Sequence, residues 1–358
     1  MHSLSVAFLE ALRLTPEQGA SLRAVGEYQG KQALFFQQAP ETLRTLRQSA
    51  VIESTESSSR IEGVTLPAAR LEHLMRRTTD PRNRSEQEIA GYRDALSLIH
   101  ESALQMRFTP PVIQQIHTTL YRYMAETGGN WKSSHNDITE TAPDGSRHIR
   151  FAPTLPHLVP IQMEGLTDNY AAAVNAGRVD GLILIPLAVL DFLCIHPFRD
   201  GNGRVARLLT LMLLYQHDLQ VGRYISIERI IEDSKETYYE SLEISSQGWH
   251  DGEHDVLPWL EYFWGVLLRA YREFEERVQA VHTGHGAKTE QIRLAVLRRS
   301  QPFAISEIEQ ECSQVSRDLV RQVLRKMRDE GLIESTGLGR GAKWRPLDQN
   351  ENGQNDDE

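Results

Sequence analysis

Cysteine is scarce in this sequence of 358 residues, which contains only Cys194 and Cys312. The two lie far apart and lack metal-ligand spacing, so the sequence indicates neither a disulfide framework nor a zinc site, and a reducing compartment fits. Long apolar runs are also lacking, since the longest, residues 181–195, is short for a membrane span and contains Asp191. The chain does not open with a basic segment followed by an apolar core, so no secretory signal is expected. We therefore predict a cytoplasmic protein without a membrane partner.

Basic residues do not dominate the chain, whose formal net charge is -10. This balance gives no whole-chain reason to expect binding to nucleic acid or to an anionic membrane. A hydrophobic content of 40% and a charged content of 25% are ordinary for a globular protein. The length is sufficient for two or three domains with a sizeable core.

A polar loop with two glycines separates two apolar runs that we predict to be buried helices. It reads HPFRDGNGRVAR over residues 196–207. His196 is the side chain of this loop that can exchange a proton near neutral pH, so it is the candidate general base. Gly201 and Gly203 allow backbone N–H groups to approach a ligand closely, at the start of the following helix.

Charged side chains of the same loop are suited to a polyphosphate. Asp200 is a hard oxygen ligand for a magnesium ion that also touches substrate phosphates. Arg204 and Arg207 lie three residues apart and project towards the same face of the helix. Two fixed cations beside a set of backbone N–H groups suit a polyphosphate. An ordinary turn between helices, with a core histidine and surface arginines, is the alternative interpretation.

The loop resembles the signature His-x-Phe-x-Asp/Glu-Gly-Asn-Gly-Arg-x-x-Arg of the Fic family, and every specified position matches. The resemblance implies a mainly α fold, with a helical core and a small β-hairpin flap. It also implies a magnesium-dependent protein adenylyltransferase, in which His196 deprotonates a Ser, Thr or Tyr hydroxyl that attacks the α-phosphate of ATP. Asp200 would bind Mg²⁺, and Phe198 would anchor the loop. The nucleotide-binding residues implied by the match are Arg199, Asp200, Gly201, Asn202, Gly203, Arg204 and Arg207.

A second segment, further upstream, resembles the self-inhibitory motif Ser/Thr-x-x-x-Glu-Gly/Asn that some Fic proteins carry before the catalytic core. Ser58, Glu62 and Gly63 hold the specified positions, and Gly63 is also a candidate helix stop. A carboxylate brought to Arg207 would form a charge-assisted pair and occupy the arginine expected to hold the γ-phosphate. The alternative is a serine-rich turn that ends in an exposed glutamate.

Residues 128–153 predict a hairpin or long loop, because they contain glycine pairs and little helical periodicity. In the Fic resemblance this is the flap that aligns the target, and it matches at Trp131, Ile138 and Phe151. Lys132 stands where arginine is common, and Asp137 where an aromatic residue is common. A flap can hold a target backbone by strand addition. A solvated loop with a structural Trp131 is the alternative.

A predicted helix at residues 234–246 carries candidates for contact with the base. In Fic relatives the matching stretch borders the adenine, which singles out Tyr238, Tyr239 and Ser246. Tyr239 is suited to stack on the base or to form a hydrogen bond with it. Packing of both tyrosines at a helix interface is an equally good interpretation.

The C-terminal residues 286–346 resemble a winged helix-turn-helix module. From Lys288 to Pro346 there are 12 basic and 8 acidic side chains, a net charge of +4, which leaves -14 for the rest of the chain. Arginines stripe the predicted recognition helix and basic residues decorate the wing: Arg317, Arg321, Arg325, Arg328, Arg340, Lys343 and Arg345. Duplex DNA is therefore a candidate partner. Protein contact or dimerisation through this module, including a homodimer, is an equal alternative.

These patterns predict four segments: an N-terminal helical region at 1–84 with the inhibitory motif at 58–63, a catalytic core at 85–281, the winged-helix domain at 286–346 and a disordered acidic tail at 347–358. Residues 64–84 are expected to be a connector. We expect helices at Ser85–Ser102, with a capping box formed by Ser85 and Glu88, and at Pro110–Met124. We expect His117 to be a packed or hydrogen-bonded core histidine.

The leading interpretation is a protein adenylyltransferase, autoinhibited by Glu62, whose partners are ATP and a protein hydroxyl, including one of its own. A Fic enzyme that uses another nucleotide donor, or one that removes AMP, is an alternative within the same fold. A nucleotide-sensing DNA-binding regulator and an interaction scaffold with a relic site are alternatives from other classes.

Overall fold

Helices dominate the chain, in agreement with the predicted fold class. The computed structural model describes residues 3–38, 40–141, 147–282, 285–297, 299, 301–312, 315–336 and 343–347. The chain divides into two compact units, residues 1–274 and 275–358.

The described part of the first unit contains twelve α-helices, the last of which continues past its end. In chain order they are α1 Val6–Ala11, α2 Pro16–Gln38, α3 Pro40–Ile61, α4 Ala68–Met75, α5 Arg84–Ser102, α6 Pro110–Leu120, α7 Val159–Ala176, α8 Gly181–Ile195, α9 Asn202–Gln216, α10 Ile227–Asp233, α11 Lys235–Ser246 and α12 Leu257–His282.

Helices α8 and α9 form the centre of this unit. Twelve of the fifteen residues of α8 are buried, as a helix that is apolar all round requires. Its first turn is capped by Asp180, whose carboxylate accepts a hydrogen bond from the Leu182 N–H at 2.8 Å. Helices α7 and α9 pack against α8, and α3, α5 and α6 pack against α9 or against one another. The loop that joins α8 to α9 is therefore supported by the most deeply buried helices.

Several local predictions were wrong. The expected connector at 64–84 contains α4, whose Leu71 and Leu74 are buried. The capping box of Ser85 and Glu88 is not formed, because Asn83 caps α5 and accepts a hydrogen bond from the Glu86 N–H at 3.0 Å. This cap leaves the Glu88 side chain free for a partner far away in the sequence. The helix expected to reach Met124 ends at Leu120, followed by turns.

The predicted hairpin is present in the described residues as two antiparallel strands, β1 Ile138–Thr141 and β2 Arg147–Phe151. Ile138 pairs with Phe151, while Thr139 pairs with Ile149, so Arg150 is an extra residue in β2. Such a β-bulge bends a strand and redirects the side chain of the extra residue. The tip of the hairpin lies outside the described residues.

The second unit combines helices with a small sheet. Its elements are α13 His285–Leu297, β3 Phe303–Ala304, α14 Ile305–Glu311, α15 Arg317–Asp329, β4 Ile333–Thr336 and β5 Lys343–Pro346. The strand order is β3-β5-β4, and both pairings are antiparallel. Val320, Val323 and Leu324 of α15 join Phe303 and Trp344 in one apolar core. Arg340 and the predicted tail beyond residue 347 lie outside the described residues.

No helix in the described ranges is both long and apolar enough to cross a lipid bilayer.

Candidate active site

The loop between α8 and α9 reverses the chain with two left-handed residues. His196 ends α8 with a φ of 51°, and Gly201 precedes α9 with a φ of 81°. A Cβ atom on Gly201 would lie 3.1 Å from the ring of Tyr121, so both its backbone angle and its surroundings favour glycine. Asn202 and Gly203 begin the first turn of α9, where N–H groups without a partner inside the helix favour an anion.

Asn202 and Phe198 fix the shape of the loop. The Asn202 side chain accepts a hydrogen bond from the Phe198 N–H at 2.9 Å and donates one to the Phe198 carbonyl at 2.8 Å. Its amide is therefore engaged with the backbone, and Asn202 holds the loop rather than projecting into the site. The Phe198 ring is fully buried, as expected for an anchor.

The segment before the hairpin clamps the same loop from another side. The Lys132 N–H donates to the Pro197 carbonyl at 2.8 Å, and its buried ammonium donates to Asn136 Oδ1 at 2.8 Å. Asn136 in turn donates to the Phe198 carbonyl at 2.8 Å. Burial lowers the pKa of Lys132 to about 8. Lys132 and Asn136 thus support the loop, and the sequence motif alone did not indicate this role for Asn136.

His196 has the protonation state that a general base needs. Its Nδ1 lies 3.3 Å from the Leu193 carbonyl, which can only accept, so Nδ1 carries the proton and Nε2 keeps a free lone pair. Burial, assisted by the nearby Lys132 ammonium, lowers the pKa of His196 to about 4. The imidazole is therefore neutral at neutral pH and able to accept a proton at Nε2.

Arg204 is buried and held in place by Glu88 of α5. Its Nη1 donates to Glu88 Oε2 at 2.7 Å, and the exposed Arg84 pairs with the other oxygen of Glu88 at 2.9 Å. The Nε of Arg204 is buried and has no hydrogen-bond partner among the described residues. An unfilled donor on a buried guanidinium at the start of α9 fits an anionic ligand.

Arg207 meets the predicted inhibitory motif. Its Nε donates to Ser58 Oγ at 2.9 Å, and its Nη2 donates to the Ser58 carbonyl at 3.1 Å and to Glu62 Oε1 at 2.7 Å. Glu62 Oε1 also lies 2.6 Å from the position that a Cβ atom of Gly203 would occupy. The carboxylate thus rests on the N-terminal turn of α9, where a phosphate is expected to bind.

The electrostatics of the pair favour its charged form. Burial acts to raise the pKa of Glu62, but the Arg207 guanidinium outweighs it, and the pKa is lowered overall. Burial likewise acts to lower the pKa of Arg207. The Glu62 carboxylate outweighs that effect, and the pKa of Arg207 is raised overall. Gly63 follows with a φ of 81° and ends α3, as predicted.

Helix α3, which carries the motif, is also tied to α10 and α11. Arg60 forms a two-pronged pair with Glu232, with distances of 2.6 and 2.9 Å. The Lys235 ammonium donates to the carbonyl of Ile61 at 2.7 Å, at the end of α3. These contacts anchor the two residues that immediately precede Glu62.

The three residues predicted to border the base fall into different environments. Tyr238 is buried, with its ring against Trp259 and Tyr262, and it lines a mainly apolar cavity beside Arg207. Ser246 is buried and donates to the Glu243 carbonyl at 3.0 Å. Both therefore pack within the core.

Tyr239 instead faces the hairpin. The Arg150 guanidinium, on the bulge of β2, lies 5.5 Å from the centre of the Tyr239 ring, and the Lys235 ammonium lies 6.0 Å from it. Both fall within the range of cation–π attraction. Tyr239 thus lies on the side of α11 that faces the hairpin.

The predicted flap residues are placed mainly by packing. The Trp131 ring lies 5.0 Å from that of Phe198, and Phe151 stacks on His250 with ring centres 5.6 Å apart. Ile138 is half-buried in β1. Trp131 is half-buried and packs on the loop through Phe198, and Arg199 lies exposed beside the loop.

Asp200 fits a magnesium ion shared with a nucleotide. Its Oδ1 accepts a hydrogen bond from the Gly201 N–H at 2.7 Å, and its Oδ2 is 3.7 Å from both Arg84 and Arg204. Those separations exceed a hydrogen bond and leave Oδ2 able to take a cation. In the described ranges no three His, Cys, Asp or Glu side chains form a group that could hold a metal. A single protein carboxylate, completed by phosphates and water, is typical of Mg²⁺.

The arginines of the second unit are largely paired with carboxylates. Arg317 lies 3.3 Å from Glu309, Arg328 lies 2.9 Å from Asp329, and Arg345 pairs with Glu334. Exposed pairs of this kind are weak, but they reduce the positive field that duplex DNA would meet.

The comparison with known families agrees with this geometry. Residues 107–214 match the sequence profile of the Fic/DOC family. The matched residues include the whole loop, all of α8, and α9 as far as Leu214. Fic domains commonly catalyse AMPylation or related nucleotidyl transfer.

Solved structures extend the likeness beyond that range. A Fic family protein from Desulfovibrio desulfuricans G20 is 23% identical, with a TM-score of 0.57 over 96% of this chain and 99% of that chain. A Fic domain containing signaling protein from Bacteroides thetaiotaomicron VPI-5482 is 21% identical, with a TM-score of 0.59 over 72% and 97%. Residues 134–508 of Fic-1 from C. elegans are 20% identical, with a TM-score of 0.57 over 75% and 73%. These likenesses establish the fold.

Proposed function

We propose that this protein is a magnesium-dependent protein adenylyltransferase held inactive by its own Glu62. The observation that carries the proposal is the 2.7 Å contact between Glu62 Oε1 and Arg207 Nη2 at the N-terminal turn of α9. A carboxylate at the turn expected to bind a phosphate indicates an anion site that is built and then occupied from within the chain.

His196 begins the reaction that the loop is suited to catalyse. Its Nε2 accepts the proton of a Ser, Thr or Tyr hydroxyl on the target, and the hydroxyl oxygen attacks the α-phosphorus of ATP. The bond from that phosphorus to the bridging oxygen of the β-phosphate breaks, AMP is transferred and pyrophosphate leaves. Mg²⁺, held through Asp200, would neutralise charge on the phosphates.

The remaining groups position the phosphates. Backbone N–H groups at the start of α9, together with Arg204, face the charge that develops during transfer. Arg207 would hold the γ-phosphate once Glu62 has left. With Glu62 in place the triphosphate cannot adopt that pose, so the wild-type protein is expected to be nearly inactive.

Labelling with α-³²P-ATP tests the proposal. Purified wild type, Glu62→Gly and Glu62→Gly with His196→Ala are incubated with a cell lysate, and labelled proteins are counted after electrophoresis. We expect strong labelling by Glu62→Gly and background labelling by the other two. Glu56→Gly is the matched control, because Glu56 lies on α3, just before Glu62 in the chain, but pairs with Arg60.

Each outcome has a definite meaning. If Glu62→Gly labels no protein, itself included, adenylylation is refuted. If wild type labels as strongly as Glu62→Gly, or if Glu56→Gly labels equally well, the inhibitory role of Glu62 is refuted.

We further propose that the second unit is a winged-helix module that contacts protein rather than DNA. The order of its helices and strands supports the module, and the paired arginines argue against DNA. A mobility shift of the full chain on duplex DNA that weakens steeply with salt would instead favour the DNA-binding regulator.

A further inference from the structure

His117 of α6 lies directly beneath the loop of the proposed active site. It is 5% exposed, and its ring stacks on that of Phe198 with centres 3.8 Å apart and planes inclined by 5°. The ring also stacks on Tyr121, whose side chain borders Gly201. The imidazole therefore belongs to the buried surface on which the loop packs, here called the floor of the loop.

Two hydrogen bonds give the ring a fixed orientation. The Gly129 N–H donates to His117 Nδ1 at 2.7 Å, so Nδ1 is an acceptor. His117 Nε2 lies 3.1 Å from the carbonyl of Asp200, and a carbonyl can only accept, so Nε2 carries the proton and donates. These two bonds require Nδ1 to be unprotonated and Nε2 to be protonated. Packing alone would require neither.

The acceptor of the second bond belongs to the peptide that links Asp200 to Gly201. In a trans peptide the C=O and N–H groups point in opposite directions. Holding the carbonyl down on His117 therefore directs the Gly201 N–H away from the floor, and this N–H donates to Asp200 Oδ1 at 2.7 Å. One imidazole thus orients the Asp200–Gly201 peptide at the start of α9 and, through the Gly201 N–H, the Asp200 carboxylate.

We propose that His117 is a positioning residue that fixes the Asp200–Gly201 peptide in the orientation required to bind the phosphates and their metal ion. The expected effect on catalysis rests on the proposed function. Its consequence for nucleotide binding can be measured separately.

The experiment compares two buried histidines in the Glu62→Gly background. His117→Phe keeps the stacked ring but removes both hydrogen bonds. His100→Phe is the matched control, since His100 is also 5% exposed and stacks on an aromatic ring, but it pairs with Tyr215 rather than with the loop. His117→Gln is a milder variant that restores a donor near the Nε2 position.

Three quantities are measured for each variant: the melting temperature, the dissociation constant of ADP with and without Mg²⁺ by calorimetry, and kcat for transfer from ATP. We expect His117→Phe to lower kcat by about tenfold or more and to weaken binding of ADP with Mg²⁺ by a similar factor, as is typical when the partner of a metal-binding group is removed. His117→Gln should recover part of both losses. His100→Phe should leave kcat and ADP affinity within about twofold, although it costs comparable thermal stability.

The proposal is overturned if His117→Phe retains kcat and ADP affinity, or if it loses no more of either than His100→Phe. If His117→Phe does not fold, His117→Gln decides the question: loss of metal-dependent ADP affinity relative to the parent supports the role, and full retention refutes it. If the Glu62→Gly parent transfers nothing, the proposed function fails, but the ADP affinities still test His117.

Discussion

Arg204 and Arg207 are both buried cations: Glu88 of α5 holds the first, and Glu62, in the turn after α3, holds the second. The two pairs differ in exposure: the side chain of Glu88 is 9% exposed and that of Glu62 is 32% exposed. Arg207 also keeps two hydrogen bonds to Ser58 when Glu62 leaves. The pair of Glu88 is therefore suited to be permanent, and the pair of Glu62 is suited to open.

Glu88→Gln tests the permanent pair. Removing the charge of Glu88 leaves the buried Arg204 with only the exposed and more distant carboxylate of Asp200, at 3.7 Å, so we expect a loss of stability of about 3 kcal/mol. We also expect kcat in the Glu62→Gly background to fall about tenfold, because Arg204 loses its orientation. The control is Glu86→Gln on the same helix, whose buried carboxylate pairs with Arg70 at 2.6 Å. Equal losses of kcat in the two variants would contradict the positioning role of Glu88.

The pH dependence of the reaction tests the state of His196. Its folded pKa is lowered to about 4, so the base form persists as the pH falls and is lost only near that value. For the Glu62→Gly protein we expect kcat/KM to stay nearly constant from about pH 7 down to about pH 5.5, since this ratio reports the free enzyme. A decline centred near the ordinary histidine pKa of about 6.5 would contradict this assignment.

At the scale of elements, inhibition depends on how α3 is anchored as well as on Glu62. Arg60 and Ile61, immediately before Glu62, are fixed by Glu232 and by Lys235 of α10 and α11. Glu62 therefore contacts Arg207 from the C-terminal end of α3, which α10 and α11 hold in place. Weakening these anchors should loosen the carboxylate without removing it.

Glu232→Gln tests this anchoring. We expect labelling to rise a few-fold above wild type but to stay below that of Glu62→Gly, because a charge-assisted pair is about twice as strong as a neutral hydrogen bond. Asp233→Asn is the control, since its carboxylate pairs with Arg229 and Arg269 instead. Labelling of Glu232→Gln that stays at the wild-type level would show that α3 needs no such anchor.

The sequence predicted the helices around the loop better than it predicted which side chains bond to one another. The apolar runs of α8 and α9 and the alternation of polar and glycine residues between them are local patterns, and they located the loop. Glu88 was assigned to a local capping box, yet it pairs with Arg204, which lies 116 positions away. His117 was expected to be a core histidine, but its bond to Asp200 follows from the packing of α6 beneath the loop. Such long-range pairs are determined by how the helices pack, and the periodicity of the sequence does not reveal that packing.

The pair of Glu62 and Arg207 is a long-range contact that was predicted. Glu62 and Arg207 are 145 residues apart, and no periodicity connects them. Their pairing could be predicted because the resemblance supplied it, and the structure places the two together. Tyr238 and Ser246, which the resemblance places beside the base, are both buried, and their contact with a base stays a prediction.

At the scale of the whole molecule, the described residues of the candidate site all lie in the first unit, residues 1–274. We therefore expect a chain truncated after His282, the end of α12, to keep transfer activity in the Glu62→Gly background within about twofold. Activity is compared by labelling with α-³²P-ATP at equal protein concentration, and the retained fold is checked by the fluorescence of the four tryptophans that precede residue 275. Loss of labelling by a truncated protein that keeps its fold would mean that the second unit contributes to catalysis.

The central claim is that the loop transfers AMP and that Glu62 prevents this transfer. Intact-mass spectrometry of the protein that Glu62→Gly labels most strongly, after incubation with ATP and Mg²⁺, tests it most directly. We predict a mass increase equal to one or more AMP groups with Glu62→Gly, and none with wild type or with Glu62→Gly combined with His196→Ala. A different added mass, or the same increase with wild type, would contradict the account.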